Sequence, residues 1–306
     1  MAKIKVYLIV ILVMFFWGLN IVGIKTVVTY MDALTMTAIR ISIAAIIVLT
    51  MLYIMKKLRK VSQYELKWLV IGSVLGVFIH HILLAVGIEN TTATNSSIIV
   101  GFSPLLTMVF ALIFGFSKFN LIQFLGFILG LWGIVVAVTK GFNVSTSFAI
   151  GDIIVFLSIA SQCLSFLVIR KLSNSMDSML ITGYLLLIGA GMLLITSLLF
   201  NFNSWKTLHE VSPFNYLIVL LSALLATAVG QTLYNYAISK IGPAETAIFT
   251  NFNTIFALLA SSMLLNETIL MVQIIGCILI IIGVLFGTGS IQEIIRNRRK
   301  VNNTDI

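Results

Sequence analysis

The chain contains 306 residues, of which 60% are hydrophobic and 9% are charged, and its formal net charge is +9. Soluble domains contain roughly 25% charged and 45–50% apolar residues, so this composition excludes a soluble globular protein and indicates a membrane protein. The two cysteines, Cys163 and Cys277, stand in apolar stretches, which favours small buried hydrophobic residues over a disulfide or a metal site.

Ten windows of the sequence qualify as transmembrane helices, each of which needs about 20 mainly apolar residues. They lie near residues 6–28, 34–55, 67–87, 95–115, 121–139, 150–170, 179–199, 214–238, 244–264 and 269–288. The first window begins like a signal peptide but has no small-residue cleavage site, so we interpret it as a retained helix. These windows predict an all-α integral membrane protein with ten transmembrane helices.

The second half of the sequence repeats the first at an offset of 150 residues. The shared residues are Gln123, Gly126 and Gly133, which recur as Gln273, Gly276 and Gly283. We predict a first five-helix repeat over residues 1–144 and a second over residues 145–306. Because each half holds an odd number of helices, the repeats should have inverted topology, as in many transporters with a midplane site. The glycine spacing suits close helix packing, so windows five and ten should form a scaffold or a homodimer surface.

The basic residues indicate the orientation, because cytoplasmic loops collect Lys and Arg. With both termini placed in the cytoplasm, that side holds Lys3, Lys5, Lys56, Lys57, Arg59, Lys60, Lys67, Lys118, Arg170, Lys171, Lys240, Arg296, Arg298, Arg299 and Lys300. The outer side holds Lys140 and Lys206. This asymmetry predicts a multi-pass protein of the cell membrane with both termini cytoplasmic. It also accounts for the positive charge without a nucleic-acid partner.

Four segments resemble EamA-type members of the drug/metabolite transporter superfamily. Residues 16–25, Phe-Trp-Gly-Leu-Asn-Ile-Val-Gly-Ile-Lys, resemble the first-helix signature, and Arg40 fits the Arg that opens the second helix. Residues 91–104 are similar to the fourth-helix pattern of small residues that ends in Pro-Leu, and residues 266–276 match the end of the second repeat. The resemblance covers nearly the whole chain. It implies export of amino acids and other small metabolites through a central cavity between the halves.

Polar side chains inside the windows are candidates for this cavity, because polar groups are costly in hydrocarbon. Trp17 and Asn20 share a helical face, and Gln231, Tyr234 and Asn235 form one polar stripe by their i, i+3, i+4 spacing. The remaining candidates are Ser97, Gln162, His81 and either Asn251 or Asn253, with Asn251 taken as the cavity residue. For each of them, helix packing or a helix–helix hydrogen bond is the alternative role. Amides and hydroxyls suit a zwitterionic or hydroxylated substrate held between apolar walls.

His80 and His81 are the deep titratable candidates of the third window. At the offset of 150 residues, His81 meets Gln231 and forms a pseudo-symmetric polar pair with it. Each histidine is either a satisfied hydrogen-bonding group or a proton carrier, since the ordinary pKa of His lies near physiological pH. No Asp or Glu falls near the middle of any window. Carboxylate-coupled proton or sodium transport therefore has no candidate carrier.

Lys25 and Arg40 lie toward the outer ends of the first two windows, against the trend of the other basic residues. One interpretation is that both side chains snorkel to the interface or pair with Asp32 and Glu89. The other is an outer vestibule that attracts or gates carboxylates.

These features together predict a secondary transporter, an exporter or facilitator, that moves small polar metabolites by alternating access at a midplane cavity. Alternatives are a proton-coupled antiporter that uses His80 or His81, and a lipid-handling or structural membrane protein. The sequence shows no nucleotide-binding loop, metal-spaced His/Cys cluster or Ser-His-Asp set, so neither an enzyme nor a cofactor is predicted. The expected partners are the lipid bilayer, the metabolite and, through windows five and ten, a second copy of the chain.

Overall fold

A computed structural model describes residues 2–114, 121–138 and 149–287, and these residues form ten long helices without a β-strand. The helices are α1 (Ala2–Val27), α2 (Ala33–Ile54), α3 (Gln63–Glu89), α4 (Ala93–Ile113), α5 (Leu121–Val138), α6 (Ile150–Leu172), α7 (Ser178–Phe200), α8 (Pro213–Ile241), α9 (Pro243–Leu264) and α10 (Met271–Gly287). Two short helical turns, Phe202–Lys206 and Leu208–Glu210, connect α7 to α8. Residues 140–148 of the predicted join, Lys118 and the basic residues after Gly287 lie outside the described residues.

The ten helices match the ten predicted windows. Eight of them are long and apolar enough to span a membrane, while α5 and α10 contain the shorter apolar segments Phe124–Ala137 and Met271–Phe286. The predicted all-α architecture of two five-helix halves is therefore confirmed.

Local capping signals fix where several helices begin. The Asp32 side chain accepts a hydrogen bond from the Thr35 backbone N at 2.8 Å and caps α2. Ser62 and Glu65 form a reciprocal capping box at the start of α3, which satisfies backbone donors that have no partner within the helix.

The two halves interleave, so helices of one half pack mainly on helices of the other. The main pairs are α1 with α9, α3 with α6, α2 with α7, α4 with α9 and α5 with α10. We call the end of the bundle that holds the start of α1 and the α2–α3, α6–α7 and α8–α9 connections the basic face. The other end is the opposite face. Because each of these pairs combines one helix from each half, residues from both repeats surround the centre of the bundle.

The glycines shared by the two repeats pack α5 against α10. A Cβ atom on Gly133 would lie 2.8 Å from the Gly276 carbonyl oxygen, and one on Gly283 would lie 2.6 Å from the Gly130 backbone N. The predicted packing seam is confirmed, since only glycine permits this approach of the backbones. A homodimer through α5 and α10 would have to use their outer faces, where Leu125 and other apolar side chains are exposed.

Two π-helical segments interrupt α3 and α8 at positions that correspond at the 150-residue offset. They are Val74–Ile79 and Ser222–Gln231. In each segment a backbone carbonyl accepts a hydrogen bond from a side chain of a neighbouring helix. Trp17 Nε1 donates to Ala226 O at 2.8 Å, and Ser161 Oγ donates to Leu75 O at 2.7 Å. Such segments are frequent at functional sites, and both of these adjoin the central cavity described below.

Candidate functional site: a buried polar cavity between the halves

A cavity of about 50 Å³ lies in the centre of the bundle, and its lining combines polar side chains from both halves with apolar walls. It is lined by Trp17, Asn20, Ile21, Arg40, His80, His81, Leu84, Val100, Ile159, Gln162, Ala226, Thr227, Gln231 and Asn253. A space of this size holds a few water molecules. A metabolite would therefore require the walls to move apart.

Arg40 lies in the wall of this cavity and is only 1% exposed. Its Nη1 donates to Thr227 Oγ1 at 2.9 Å, and its Nη2 donates to His81 Nδ1 at 3.3 Å. Its Nε has no hydrogen-bond partner, and within the described part of the chain no carboxylate forms a salt bridge with it. The prediction of an outer vestibule shared with Lys25 is wrong for Arg40, because its donors are engaged in the bundle interior instead of at the interface.

The contact with Arg40 fixes which nitrogen of His81 carries the proton. A guanidinium has only donors, so His81 Nδ1 is the acceptor and the proton of the neutral ring is on Nε2. His81 is buried, and its Nε2 has no hydrogen-bond partner. This N–H is therefore an unpartnered donor, in addition to Arg40 Nε.

His80 is buried and fully hydrogen-bonded, unlike its neighbour. Its Nδ1 lies 2.8 Å from Ser158 Oγ and 3.2 Å from Ser158 O, while its Nε2 accepts from Gln162 Nε2 at 3.0 Å. Since a carbonyl oxygen only accepts, Nδ1 carries the proton. Both ring nitrogens are thus used within the neutral tautomer, and His80 joins α3 to α6.

Trp17 and Asn20 are brought to the cavity together by α1, as their spacing predicts. Trp17 donates to Ala226 O, and Asn20 Oδ1 accepts from the Ser222 hydroxyl. A Cβ on Gly230 would come within 3.0 Å of the Trp17 indole nitrogen. The glycine at this point of α8 therefore makes room for the tryptophan.

An apolar cleft of about 480 Å³ adjoins the cavity between α1 and α8. Asn20 and Ala226 line both spaces, and the remaining cleft wall includes Leu19, Ile218 and Leu225. Toward the opposite face the cleft meets a further cavity of about 710 Å³. The Asn20–Ser222 hydrogen bond lies where the cleft meets the central cavity.

The polar pair predicted from the repeat, His81 and Gln231, lies in the cavity wall together with Gln162. Of the two asparagines in α9, Asn253 lines the cavity and its Oδ1 has no partner. Asn251 instead donates to Ile248 O at 2.9 Å and lines a cavity of about 20 Å³ between α4, α9 and α10. The choice of Asn251 over Asn253 is therefore wrong, because the two residues point to different faces of α9.

Three further candidates do not reach the cavity. Tyr234 and Asn235 follow Gln231 by one turn of α8, beyond the end of the cavity. Tyr234 packs with its ring centroid 4.7 Å from that of Trp17, and Asn235 donates to Thr182 Oγ1 at 2.9 Å. Ser97 is buried in α4, where its carbonyl oxygen accepts from Thr254 Oγ1 at 2.8 Å. In this structure Tyr234 and Asn235 contact other helices, whereas the Ser97 side chain donates to Thr94 O at 2.7 Å within α4.

Lys25 caps a helix end and does not line the central cavity. Its Nζ donates to the carbonyl oxygens of Ile88 and Glu89 at 2.9 and 3.1 Å, at the end of α3. Arg170 does the same for α8, where its Nη1 donates to Ser239 O at 2.7 Å. Ser239 stands 150 residues after Glu89, so the two cations are pseudo-symmetric caps on helix carboxyl ends, where cations are favoured.

On the basic face, charged side chains join the two halves. Lys3 Nζ lies 3.0 Å from the Glu245 carboxylate, and Arg59 Nη2 donates to Ser175 O at 3.1 Å. The hydrogen bond to the Glu65 carboxylate raises the pKa of Arg59, which favours its charged form. We call this set of contacts the basic-face clamp.

On the opposite face, two carboxylates of the second half hold the start of α4. Glu267 accepts from the backbone N of Ala93 and of Thr94 at 3.0 and 2.9 Å. Asp152 Oδ1 accepts from Thr91 Oγ1 at 2.5 Å. This set, the opposite-face clamp, closes the second end of the bundle.

Thr227 is a cavity residue that the sequence prediction omitted. It lies four residues before Gln231, and this spacing places both residues on one side of α8. The spacing could therefore have identified Thr227 as a cavity residue. Apolar residues flank Arg40 on both sides along α2, and this pattern could have indicated its position in the interior. Within residues 2–114, 121–138 and 149–287, no group of three or more His, Cys, Asp or Glu side chains could hold a metal ion.

Interleaved five-helix halves around a central cavity are typical of membrane transporters with inverted repeats. The sequence profile of the EamA-like transporter family matches residues 4–139 and 149–288. The chain therefore belongs to the EamA-like transporter family, and each half corresponds to one copy of the family unit.

Individual proteins agree with this assignment, and one solved structure shares the fold. The uncharacterized transporter YyaM of Bacillus subtilis (strain 168) is 26% identical over 95% of this chain and 96% of its own length. A WAT1-related chloroplastic protein of Arabidopsis thaliana is 23% identical over 88% of this chain and 66% of its own. A crystal structure with 15% sequence identity superposes with a TM-score of 0.68, covering 95% of this chain and 98% of the other, which supports the fold alone.

Proposed function

We propose that the protein is a secondary transporter that moves a small polar metabolite, such as an amino acid, through the central cavity. The observation that carries this proposal is the group of buried, unpartnered polar atoms in the cavity wall. They are Arg40 Nε, His81 Nε2 and Asn253 Oδ1. Buried polar atoms normally have hydrogen-bond partners, so atoms left free in a cavity are available to a ligand.

The clamps on the two faces support alternating access as the mechanism. Both clamps join the first half to the second, and both are formed at the same time in this structure. Opening the cavity to one side requires one clamp to break while the other holds. Inverted repeats provide two such openings around one site. The proposal involves neither an enzymatic reaction nor a cofactor.

We further propose that the protein acts as an exporter or facilitator. No acidic side chain lines the cavity, so ion-coupled accumulation has no carboxylate to carry the ion. Proton antiport through the histidines has less support, because both nitrogens of His80 are engaged. Protonation of His81 would place a second positive charge next to Arg40. The apolar cleft between α1 and α8 is the feature that favours the lipid-handling alternative.

Transport is tested with purified protein in liposomes and a panel of radiolabelled amino acids and other metabolites. We expect saturable exchange of at least one amino acid or related metabolite. Absence of flux across a broad panel, together with movement of a fluorescent phospholipid, would replace this proposal with the lipid-handling one.

For the orientation we propose a cell-membrane protein with both termini in the cytoplasm, because the basic face carries most of the Lys and Arg residues. In intact cells, a membrane-impermeant thiol reagent should label Lys206→Cys on the opposite face. It should label Lys57→Cys on the basic face only after the cells are opened. The reverse pattern would overturn the orientation.

A further inference from the structure

We infer that the cavity binds its substrate through a carboxylate group that pairs with Arg40, so that the substrate is a small molecule with one carboxylate. This inference rests on the proposed transport function, because it names the class of molecule that occupies the same cavity.

The first argument is the uncompensated charge. Arg40 is 1% exposed, yet within the described part of the chain it has no acidic partner. A guanidinium remains charged in proteins, and a buried charge is costly unless it is paired. An anion that enters the cavity provides the missing partner.

The second argument is the chemistry of the free atoms. Arg40 Nε and His81 Nε2 are both donors, and both lack an acceptor. The Arg40–His81 contact at 3.3 Å holds the two side chains together in the cavity wall. These two unpartnered donors, one of them on a charged group, suit a carboxylate, because a carboxylate has only acceptors and forms strong hydrogen bonds with a guanidinium.

The amount of charge selects a carboxylate over a phosphate. One guanidinium balances one negative charge, whereas a phosphate monoester carries roughly −1.5 to −2 at neutral pH. Lys25 does not line the cavity, and its Nζ is held by backbone carbonyls at the end of α3. The remaining wall adds an unpartnered acceptor, Asn253 Oδ1, and apolar side chains such as Leu84. These groups suit a carboxylic acid with a short apolar part and a donor.

The test compares carboxylates with their carboxamides, which have similar shapes but lack the negative charge. The probes are lactate and lactamide, isobutyrate and isobutyramide, and L-leucine and L-leucinamide, all at equal ionic strength. We expect at least one carboxylate to raise the melting temperature of the detergent-purified wild-type protein more than its carboxamide does. If no carboxylate exceeds its carboxamide, the inference is wrong. If methanesulfonate or inorganic phosphate stabilises the protein and the carboxylates do not, the site binds a different oxyanion.

Variants of the protein then test whether Arg40 is the residue that binds the carboxylate. Arg40→Gln should weaken binding of the active carboxylate about 10- to 100-fold, because it removes the charged partner of a buried pair. Arg40→Lys should weaken it less, since a lysine keeps the charge but lacks the planar fork. Lys25→Ala is the matched control, because it removes a cation outside the cavity and should leave the preference for carboxylate over carboxamide unchanged. An equal loss in the control would assign the effect to stability instead of to anion binding.

Flux measurements separate the two proposals. Transport of a neutral metabolite that is independent of Arg40 would leave the transporter proposal standing and overturn the carboxylate site. Carboxylate-specific stabilisation without flux of any probe in liposomes would support the site and count against the transport function.

Discussion

Lys25 and Arg170 show how a basic side chain can stabilise the corresponding helix end in each of the two inverted repeats. Each donates to backbone carbonyls at the end of a helix, α3 or α8, in its own half. Lys25→Ala and Arg170→Ala should each reduce stability by about 1–2 kcal/mol, because charged hydrogen bonds are lost at a helix carboxyl end. Thermal unfolding in detergent measures this effect, with the exposed Lys206→Ala as control. Loss of transport by Lys25→Ala at unchanged melting temperature would instead support an outer vestibule.

The neutral state of His81 leads to a prediction about pH. In His81→Gln the side-chain oxygen can still accept from Arg40, and the amide N–H can replace the free Nε2 donor. We therefore expect the variant to keep flux, with an unchanged dependence on pH between about 6 and 8, around the ordinary pKa of His. Flux into liposomes at graded internal and external pH measures this. A pH dependence that is present in the wild type and absent in the variant would establish His81 as a proton carrier.

At the scale of the helix, the α5–α10 seam offers a sharp test of packing. In Gly133→Ala the new methyl group meets the Gly276 carbonyl oxygen at 2.8 Å, and such overpacking costs about 1–3 kcal/mol. We expect a lower yield of monodisperse protein and a lower melting temperature. Gly191→Ala in α7 is the control, since a Cβ at Gly191 has no neighbour within 4 Å. Equal yields and melting temperatures of the two variants would show that α5 and α10 can move apart without loss of stability.

The sequence predicted most of the helices because apolar windows and shared glycines are local signals. It did not predict the π-helical segments, because a π-helical turn inside an apolar run has the same composition as an α-helical one. Arg40 was misplaced because distance along a helix does not tell whether a long side chain snorkels outward or turns into the bundle. Tyr234 and Asn235 share a face with Gln231, but the cavity ends before their level. The packing of α1 and α6 against α8 sets the end of the cavity. The spacing of residues within α8 does not predict this packing.

For the whole molecule, the two clamps should control which side of the membrane reaches the cavity. Glu245→Gln weakens the basic-face clamp and Glu267→Gln the opposite-face clamp, each by removing a charged partner. Charged hydrogen bonds contribute about 1.5–3 kcal/mol, so Glu267→Gln should shift the balance between the two open states about tenfold. The Lys3–Glu245 pair is largely exposed, and exposed ion pairs contribute about 0–1 kcal/mol, so Glu245→Gln should shift this balance only about two- to fivefold.

A single cysteine in the cavity reports this balance. Ile159→Cys lies in the cavity wall, and the background Cys163→Ala, Cys277→Ala removes the native thiols. In membrane vesicles of known sidedness, Glu245→Gln should speed labelling from the basic face and Glu267→Gln from the opposite face. Identical labelling rates in both variants would mean that these contacts do not gate the cavity.

The charge on Arg40 also has an electrical consequence. Whichever clamp opens, water connects the cavity to one side, and most of the membrane voltage then falls across the side that stays closed. Reorientation of the empty protein therefore moves one positive charge through much of the field, which is worth about 2.3 kcal/mol per 100 mV. A monoanionic carboxylate lying against Arg40 cancels that charge, so the loaded protein turns with far less sensitivity to voltage, whereas a zwitterionic amino acid leaves a net charge of +1 in the cavity. Membrane potential would then act mainly on the return of the empty carrier and set the side on which it waits for its substrate.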